Sequence, residues 1–116
     1  MTPAAFRRLA LSFPEATEAP HFERASFRVK NKIFATMKES AKEAMVRVPA
    51  PEGVEALLEA HPQAFFSYGE TWTMKNGSLG VHLARVDDTL LKELLTESWR
   101  RTAPKKLVDA FDARRG

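Results

Sequence analysis

The chain has 116 residues, of which 18 are Lys or Arg and 15 are Asp or Glu, so its formal net charge is +3. This length favours one domain, because two independent cores of half this size would each be marginally stable. The absence of cysteine excludes a disulfide scaffold, a thiolate nucleophile, an iron–sulfur cluster and a Cys-ligated zinc site. No apolar run approaches the ~18 residues that a membrane span needs, so we expect a soluble, cytoplasmic protein.

Prolines and apolar spacing predict two helices in the first part of the chain. Thr2 can cap the first helix, and Pro3 suits its opening position, where a missing N–H costs nothing. Apolar residues then recur at helical spacing until Pro14, which ends the run. The second helix lies between Pro51 and Pro62 and carries one apolar face.

Two further helices are predicted near the C-terminus. The third begins at Asp87 or Asp88, because a helix N-terminus favours a carboxylate. Its apolar stripe of leucines continues to Trp99, which we expect to be buried. Pro104 begins a short fourth helix, and we expect the last few residues of the chain to fray.

A β-hairpin is predicted over residues 22–38. A three-residue loop at 30–32 separates apolar from polar positions better than a two-residue loop does. One face then carries Ala25, Phe27, Val29, Ile33, Ala35 and Met37. The opposite face carries Arg24, Ser26, Arg28, Phe34, Thr36 and Lys38. Arg28 and Phe34 are therefore expected to be cross-strand neighbours on the polar face.

The remaining strands are predicted at 43–48, at 65–68 and in a second hairpin over residues 71–83. Asn76-Gly77 closes that hairpin, since Asn-Gly is the strongest short hairpin signal. Its apolar face would hold Trp72, Met74, Leu79, Val81 and Leu83. We predict a single α+β domain over residues 1–116, with an antiparallel sheet of about five to six strands and helices packed on one face.

The net charge conceals an uneven distribution. Residues 20–48 hold seven basic and three acidic side chains, and residues 99–116 hold six basic and two acidic ones, so each segment sums to about +4. Such asymmetry is typical of a surface that binds polyanions, although Lys and Arg also occupy the solvent face of any half-exposed sheet. Phe34, among these cations, either stacks on a base or is covered by a helix or terminus.

Signals for catalysis and for metal binding are weak. The three histidines, His21, His61 and His82, are far apart, and none has a second ligand at i+3 or i+4. There is no glycine-rich phosphate loop, and the serines lie outside any nucleophile-elbow pattern. We therefore expect no enzymatic activity, no cofactor and no metal.

Several strings resemble the MmcQ/YjbR family of small bacterial proteins. The resemblance covers about residues 4–111, and its most characteristic parts are FRV-x-x-KIFA (27–35) and ESW-x(5)-KKL (97–107). In the second part, Trp99 stands where the family usually has Tyr, and Arg101-Thr102 where it usually has Leu-Val. The resemblance implies a compact α+β fold of frataxin-like arrangement and a link to DNA binding through a proposed double-wing element. It implies no catalytic residue.

Carried over by position, the two wings are the hairpins at 24–38 and 70–83. We predict a non-enzymatic module that binds nucleic acid, double-stranded DNA above all, with low sequence specificity and mainly through phosphates. The predicted contact residues are Arg24, Arg28, Lys30, Lys32, Phe34, Lys38, Lys75, Arg100, Arg101, Lys105 and Lys106. The C-terminal cations contribute only if their helices lie on the same side as the first hairpin.

The alternative is a protein-interaction or dimerising adaptor that binds no nucleic acid. It would act through an exposed sheet edge or an apolar patch around Phe65, Phe66 and Tyr68, although FFSY also fits a buried strand. A third hypothesis is small-ligand binding in a cleft between sheet and helices. We expect a monomer or a weak dimer without membrane association.

Overall fold

The computed structural model describes residues 1–49, 51–69 and 77–115, which form four helices and six strands. The helices are α1 (Pro3–Leu11), α2 (Glu52–Ala60), α3 (Asp88–Thr102) and α4 (Lys105–Arg115). The strands are β1 (Ala16–His21), β2 (Arg24–Val29), β3 (Lys32–Lys38), β4 (Glu43–Arg47), β5 (Phe65–Ser67) and β6 (Ser78–His82). A 3-10 turn, Glu39–Ala41, joins β3 to β4.

The strands form one antiparallel sheet in the order β1-β2-β3-β4-β6-β5, with the helices packed on one face. This arrangement confirms the predicted α+β class. Strand β1 was not predicted, because its sequence, ATEAPH, lacks alternating apolar residues and contains Pro20. Proline is tolerated there because β1 is an edge strand, where a missing N–H need not break the ladder.

Local capping explains where two of the helices begin. Thr2 Oγ1 accepts a hydrogen bond from the Ala5 amide at 3.1 Å, and Asp87 Oδ2 accepts one from the Leu90 amide at 2.9 Å. Both caps lie where the sequence predicts them, and each contributes about 1 kcal/mol to helix stability. None of the described helices is long and apolar enough to cross a membrane.

The core lies between the helices and the face of the sheet that they cover, which we call the covered face. Phe6 of α1 packs edge-to-face on Phe27 of β2, with ring centroids 5.9 Å apart. Phe13 stacks on Trp99 at 5.8 Å, and Trp99 Nε1 donates to the Pro14 carbonyl at 3.2 Å. The predicted burial of Trp99 is confirmed, and its polar N–H is satisfied within the core.

The β2–β3 turn is shorter than predicted. It consists of Lys30 and Asn31 alone, both with left-handed φ angles (50° and 66°), and Val29 pairs with Lys32 on either side of it. Two-residue turns with positive φ at both positions match the right-handed twist of a hairpin. The predicted three-residue loop at 30–32 is therefore wrong.

A β-bulge in β3 changes which residues face the helices. Arg28 pairs with Ile33, but the register then shifts, so that Phe27 pairs with Ala35 and Phe34 is the extra residue. Phe34 and Ala35 are both fully buried in the core. The predicted placement of Phe34 on the polar face is wrong, and this ring offers no surface on which a base could stack. Ile33 was predicted on the apolar face and lies instead opposite Arg28.

Helix α3 supplies hydrogen bonds at the bulge. Ser98 Oγ donates to the Phe34 carbonyl and accepts a hydrogen bond from the Arg47 amide at 2.9 Å. Ser98 is fully buried, so this hydroxyl joins β3 to β4 at the point where their ladder ends. A serine of the ESW string thus has a structural role.

The second predicted hairpin lies only partly within the described residues. Strand β6 is present, and Gly77 before it has a left-handed φ of 69°, as the predicted turn requires. The described members of its predicted apolar face are fully buried: Leu79, Val81 and Leu83. The predicted strand at 71–75, with Trp72, Met74 and Lys75, lies outside the described residues.

Candidate nucleic-acid interface

The face of the sheet opposite the covered face, which we call the open face, contains a cleft of about 220 Å³. This inner cleft lies over the centre of the sheet because strands β2, β3 and β4 direct alternate polar residues to this side. Its lining residues are His21, Arg24, Ile33, Thr36, Met45, Arg47, Tyr68 and Ser78.

A wider outer cleft of about 680 Å³ adjoins the inner one. Its lining residues are His21, Arg28, Asn31, Lys32, Ile33, Arg47, Arg101 and Thr102. Because the two clefts share His21, Ile33 and Arg47, we treat them as one groove, which we call the arginine groove.

The arginine groove is lined by charges of one sign. Its described lining residues include four arginines and one lysine, and none of them is Asp or Glu. Concave surfaces of one charge concentrate field lines and attract counter-charged ligands more strongly than flat surfaces do. The groove is therefore suited to a ligand that carries several negative charges.

Arg24 is held in place by two neighbours. Its Nε donates to Thr36 Oγ1 at 3.0 Å, and its Nη2 donates to the Tyr68 hydroxyl at 3.0 Å. The guanidinium carbon also lies 5.8 Å from the centre of the Tyr68 ring, within cation–π range. An arginine that is already positioned loses less conformational entropy when it binds an anion.

Tyr68 stays protonated at neutral pH. Burial raises the pKa of Tyr68 above its usual value of 10.0, and this effect outweighs the opposing influence of Arg24. Glu43 raises that pKa slightly further. The phenol oxygen therefore accepts a hydrogen bond from Arg24 without forming a charged pair that would neutralise the groove.

Arg28 and Arg47 also have defined contacts. Arg28 Nε donates to Ser26 Oγ at 3.0 Å, and the Ser26 hydroxyl donates in turn to the Ala19 carbonyl at 2.7 Å. Arg47 Nε donates to the Ile33 carbonyl at 3.3 Å. The sheet itself thus positions these cations.

Aromatic rings lie beside the groove on the same face. The Phe66 ring centroid lies 5.2 Å from that of Tyr68 and 4.6 Å from that of His82. Phe66 can lie flat on the sheet because its cross-strand partner is Gly80, where an added Cβ would come within 2.3 Å of the ring. The apolar patch predicted around FFSY is smaller than expected, since Phe65 is buried in the core.

The structure brings some of the predicted contact residues together in the groove. Four of them line it: Arg24, Arg28, Lys32 and Arg101. Lys38 lies next to it, around a shallow depression that it shares with Phe22, Glu23 and Arg24. The two positive segments of the sequence therefore meet at Arg101, but only there.

Other predicted contact residues are engaged in ion pairs away from the groove. Lys30 Nζ lies 2.6 Å from Glu15 Oε1, and Lys105 Nζ lies 2.8 Å from Asp109 Oδ2. Arg100 pairs with Asp112 and, at 3.3 Å, with Glu97. The hydrogen bond to Asp112 raises the pKa of Arg100.

The last two predicted contact residues give no support to the prediction. Lys106 is exposed on α4 and is not among the lining residues of either cleft. Lys75 lies outside the described residues. The predicted pair of basic wings is therefore represented in the described residues by the first hairpin.

Among the lining residues that the sequence did not predict, three carry a ring or a positive charge: His21, Arg47 and Tyr68. The signal for Arg47 was available, because its i, i+2 spacing places it on the same face of β4 as Met45 and Glu43. His21 could not be placed without the unpredicted strand β1. Tyr68 follows β5, and its contact with Arg24 joins positions 44 residues apart.

Comparison with known proteins identifies the family. The YjbR family model matches residues 11–101. The chain belongs to the YjbR family. This confirms the resemblance seen in the sequence.

Relatives within the YjbR family share most of their length with this chain. The uncharacterised protein Rv2570 of Mycobacterium tuberculosis and the uncharacterised protein Mb2600 of Mycobacterium bovis are each 32% identical over 120 residues, covering 87% of both chains. The crystal structure of the Deinococcus radiodurans protein DR2400, with its DUF419 domain, is similar with a TM-score of 0.73 and 28% identity. That match covers 86% of this chain and 77% of the other. The names of these relatives do not specify an activity.

Proposed function

We propose that this YjbR-family protein binds nucleic acid through the arginine groove, mainly by phosphate contacts and with low sequence specificity. The observation that carries the proposal is the lining of the groove: arginines and a lysine, with no carboxylate among the described lining residues. A planar guanidinium suits phosphate oxygens because its N–H groups match them in pairs.

Low specificity follows from the kind of side chains in the groove. Direct recognition of adenine needs an Asn or Gln side chain that forms two hydrogen bonds with the base. Asn31 is the one amide side chain among the lining residues. Phosphate contacts carry no sequence information directly. Duplex DNA is the ligand class favoured by the family resemblance, and the first measurement therefore uses it.

The experiment is a fluorescence anisotropy titration of a labelled duplex at several salt concentrations. With four to five phosphate contacts, log affinity should fall against log salt with a slope of roughly −4. The double variant Arg28→Ala/Arg101→Ala should lower the affinity at low salt by roughly ten-fold per contact and make the slope shallower by about 2.

The matched control removes two exposed cations that line neither cleft. These are Arg8 on α1 and Lys92 on α3. Arg8→Ala/Lys92→Ala has the same net charge as the groove variant but should change the affinity by less than roughly two-fold. Equal losses in the two double variants, or no salt-dependent binding of either a duplex or a single strand by the unmodified protein, would contradict the proposal.

A further inference from the structure

One turn beside the arginine groove contains a residue that packing does not explain. The turn between β1 and β2 includes Phe22, whose side chain is 95% exposed and whose φ is 59°. The left-handed region is disfavoured for a bulky side chain, and Gly or Asn is usual there. Phe22 thus accepts an unfavourable backbone conformation while its ring stays in solvent.

Phe22 is continuous with the groove. Its ring packs edge-to-face on His21, with centroids 4.9 Å apart, and His21 lines both clefts. Phe22 also borders a shallow depression with Glu23, Arg24 and Lys38. A ligand that leaves the groove at this end would therefore meet the Phe22 ring beside two cations and the Glu23 carboxylate.

Phe22 completes a row of rings that crosses the open face, which we call the aromatic row. In order of contact, its members are the rings of His82, Phe66 and Tyr68, the guanidinium of Arg24, and the rings of His21 and Phe22. The ring contacts at the β6 side join His82 to Phe66 and Phe66 to Tyr68. Arg24 continues the row by lying over the Tyr68 ring and by pairing with His21 across β1 and β2.

We infer that the nucleic acid of the arginine groove is single-stranded, with unpaired bases stacked along the aromatic row and Phe22 as the outermost stacking residue. This inference rests on the proposed function. In a duplex the faces of the bases are hidden in the stack, whereas a single strand can present them to aromatic side chains. A basic groove beside aromatic rings is the combination that proteins use for single strands.

The test compares three labelled ligands of equal length: oligo(dT), an abasic strand that has the phosphates but no bases, and a duplex. The full chain should bind oligo(dT) more tightly than the duplex. Phe22→Ala should weaken oligo(dT) binding by about ten-fold, within the range for one base–aromatic stack, and Phe22→Tyr should restore it. The same change should leave binding of the abasic strand and the duplex within roughly two-fold.

Leu11→Ala is the matched control, because Leu11 is the other large apolar residue exposed among the described residues and lies on α1. It should leave all three affinities unchanged. A second probe is Gly80→Ala, which should weaken oligo(dT) binding by displacing the Phe66 ring.

The outcomes separate this inference from the proposed function. If Arg28→Ala/Arg101→Ala weakens binding but Phe22→Ala does not affect oligo(dT), the single-strand inference is wrong and the groove proposal stands. If no ligand binds, the groove proposal itself is wrong. If Phe22→Ala changes only the solution mass measured by light scattering, Phe22 is a contact between protein chains and the inference is overturned.

Discussion

The covered face and the open face come from the same strands, yet different interactions hold their side chains. On the covered face, Phe27 and Phe34 fill space against the helices and have no exposed surface. On the open face, Arg24 and Arg28 are held by hydrogen bonds to Thr36, Tyr68 and Ser26. The covered face is thus held together by close packing of apolar side chains. The open face is held by hydrogen bonds that leave its charged groups near solvent.

This difference predicts whether a substitution changes stability or ligand binding. Changes on the covered face should lower the free energy of unfolding, because a cavity there is not refilled. Changes on the open face should alter ligand binding or the titration of a neighbouring group more than stability. The bulge in β3 is the sharpest place to test this, because it turns the consecutive residues Phe34 and Ala35 to the covered face and leaves Ile33 on the open face.

The largest effect is expected from truncation of Phe34. Phe34→Ala should lower the free energy of unfolding by about 3–4 kcal/mol, since the ring is fully buried against Phe13. Ile33→Ala, its neighbour on the open face, should cost about 1 kcal/mol because that side chain is partly exposed. Urea denaturation of both variants measures the difference, and equal losses would contradict the bulged register.

An intermediate effect is expected at Ser98, which joins the two strands beside the bulge. Ser98→Ala leaves the Phe34 carbonyl and the Arg47 amide without this partner in a buried position, at a cost of about 2 kcal/mol. Thermal and urea unfolding report the loss. Thr89→Ala, an exposed change on the same helix, should stay within about 0.5 kcal/mol, and similar values for both would refute the bridging role.

The smallest effect is expected in a titration on the open face. Tyr68 is the one tyrosine of the chain, so ultraviolet absorbance of tyrosinate reports it alone. Arg24→Ala should raise the pKa of Tyr68 further, because Arg24 stabilises the phenolate, whereas Arg24→Lys should keep part of that effect. An unchanged pKa in Arg24→Ala would contradict the contact.

The raised pKa of Tyr68 also predicts how the free energy of unfolding changes with pH. Because the folded state raises the pKa of Tyr68, it favours the neutral phenol. That stabilisation is fully present below the unfolded pKa near 10 and is lost as the pH rises through the folded value. Unfolding free energy should therefore fall on the alkaline side, and less so in Tyr68→Phe.

Much of the framework could be predicted because its signals act over a few residues. Thr2, Asp87 and Pro104 act at helix ends, and the alternation in β6 identifies its buried side. The Lys105–Asp109 pair is also predictable from its i,i+4 spacing. By contrast, β1 has no such local signal.

The functional surface depended on contacts between distant positions. The bulge that buries Phe34 is completed by Ser98, 64 residues later in the chain, so strict alternation misplaced the ring. The sum of about +4 was the same for both positive segments. Glu15 and Asp112 pair with Lys30 and Arg100 in the folded chain, and the charge sum does not show these pairs.

The sequence by itself determined the α+β class, the helices and their caps, and the excess of positive charge near the first hairpin. Those features depend on residue type and short-range spacing, which the folded chain does not alter. Only the tertiary structure decided that Arg24, Arg28, Arg47 and Arg101 share one groove, because they come from two strands and one helix. Long-range packing sets both the neighbours of a charge and its distance from a carboxylate, and these decide whether it can bind a polyanion.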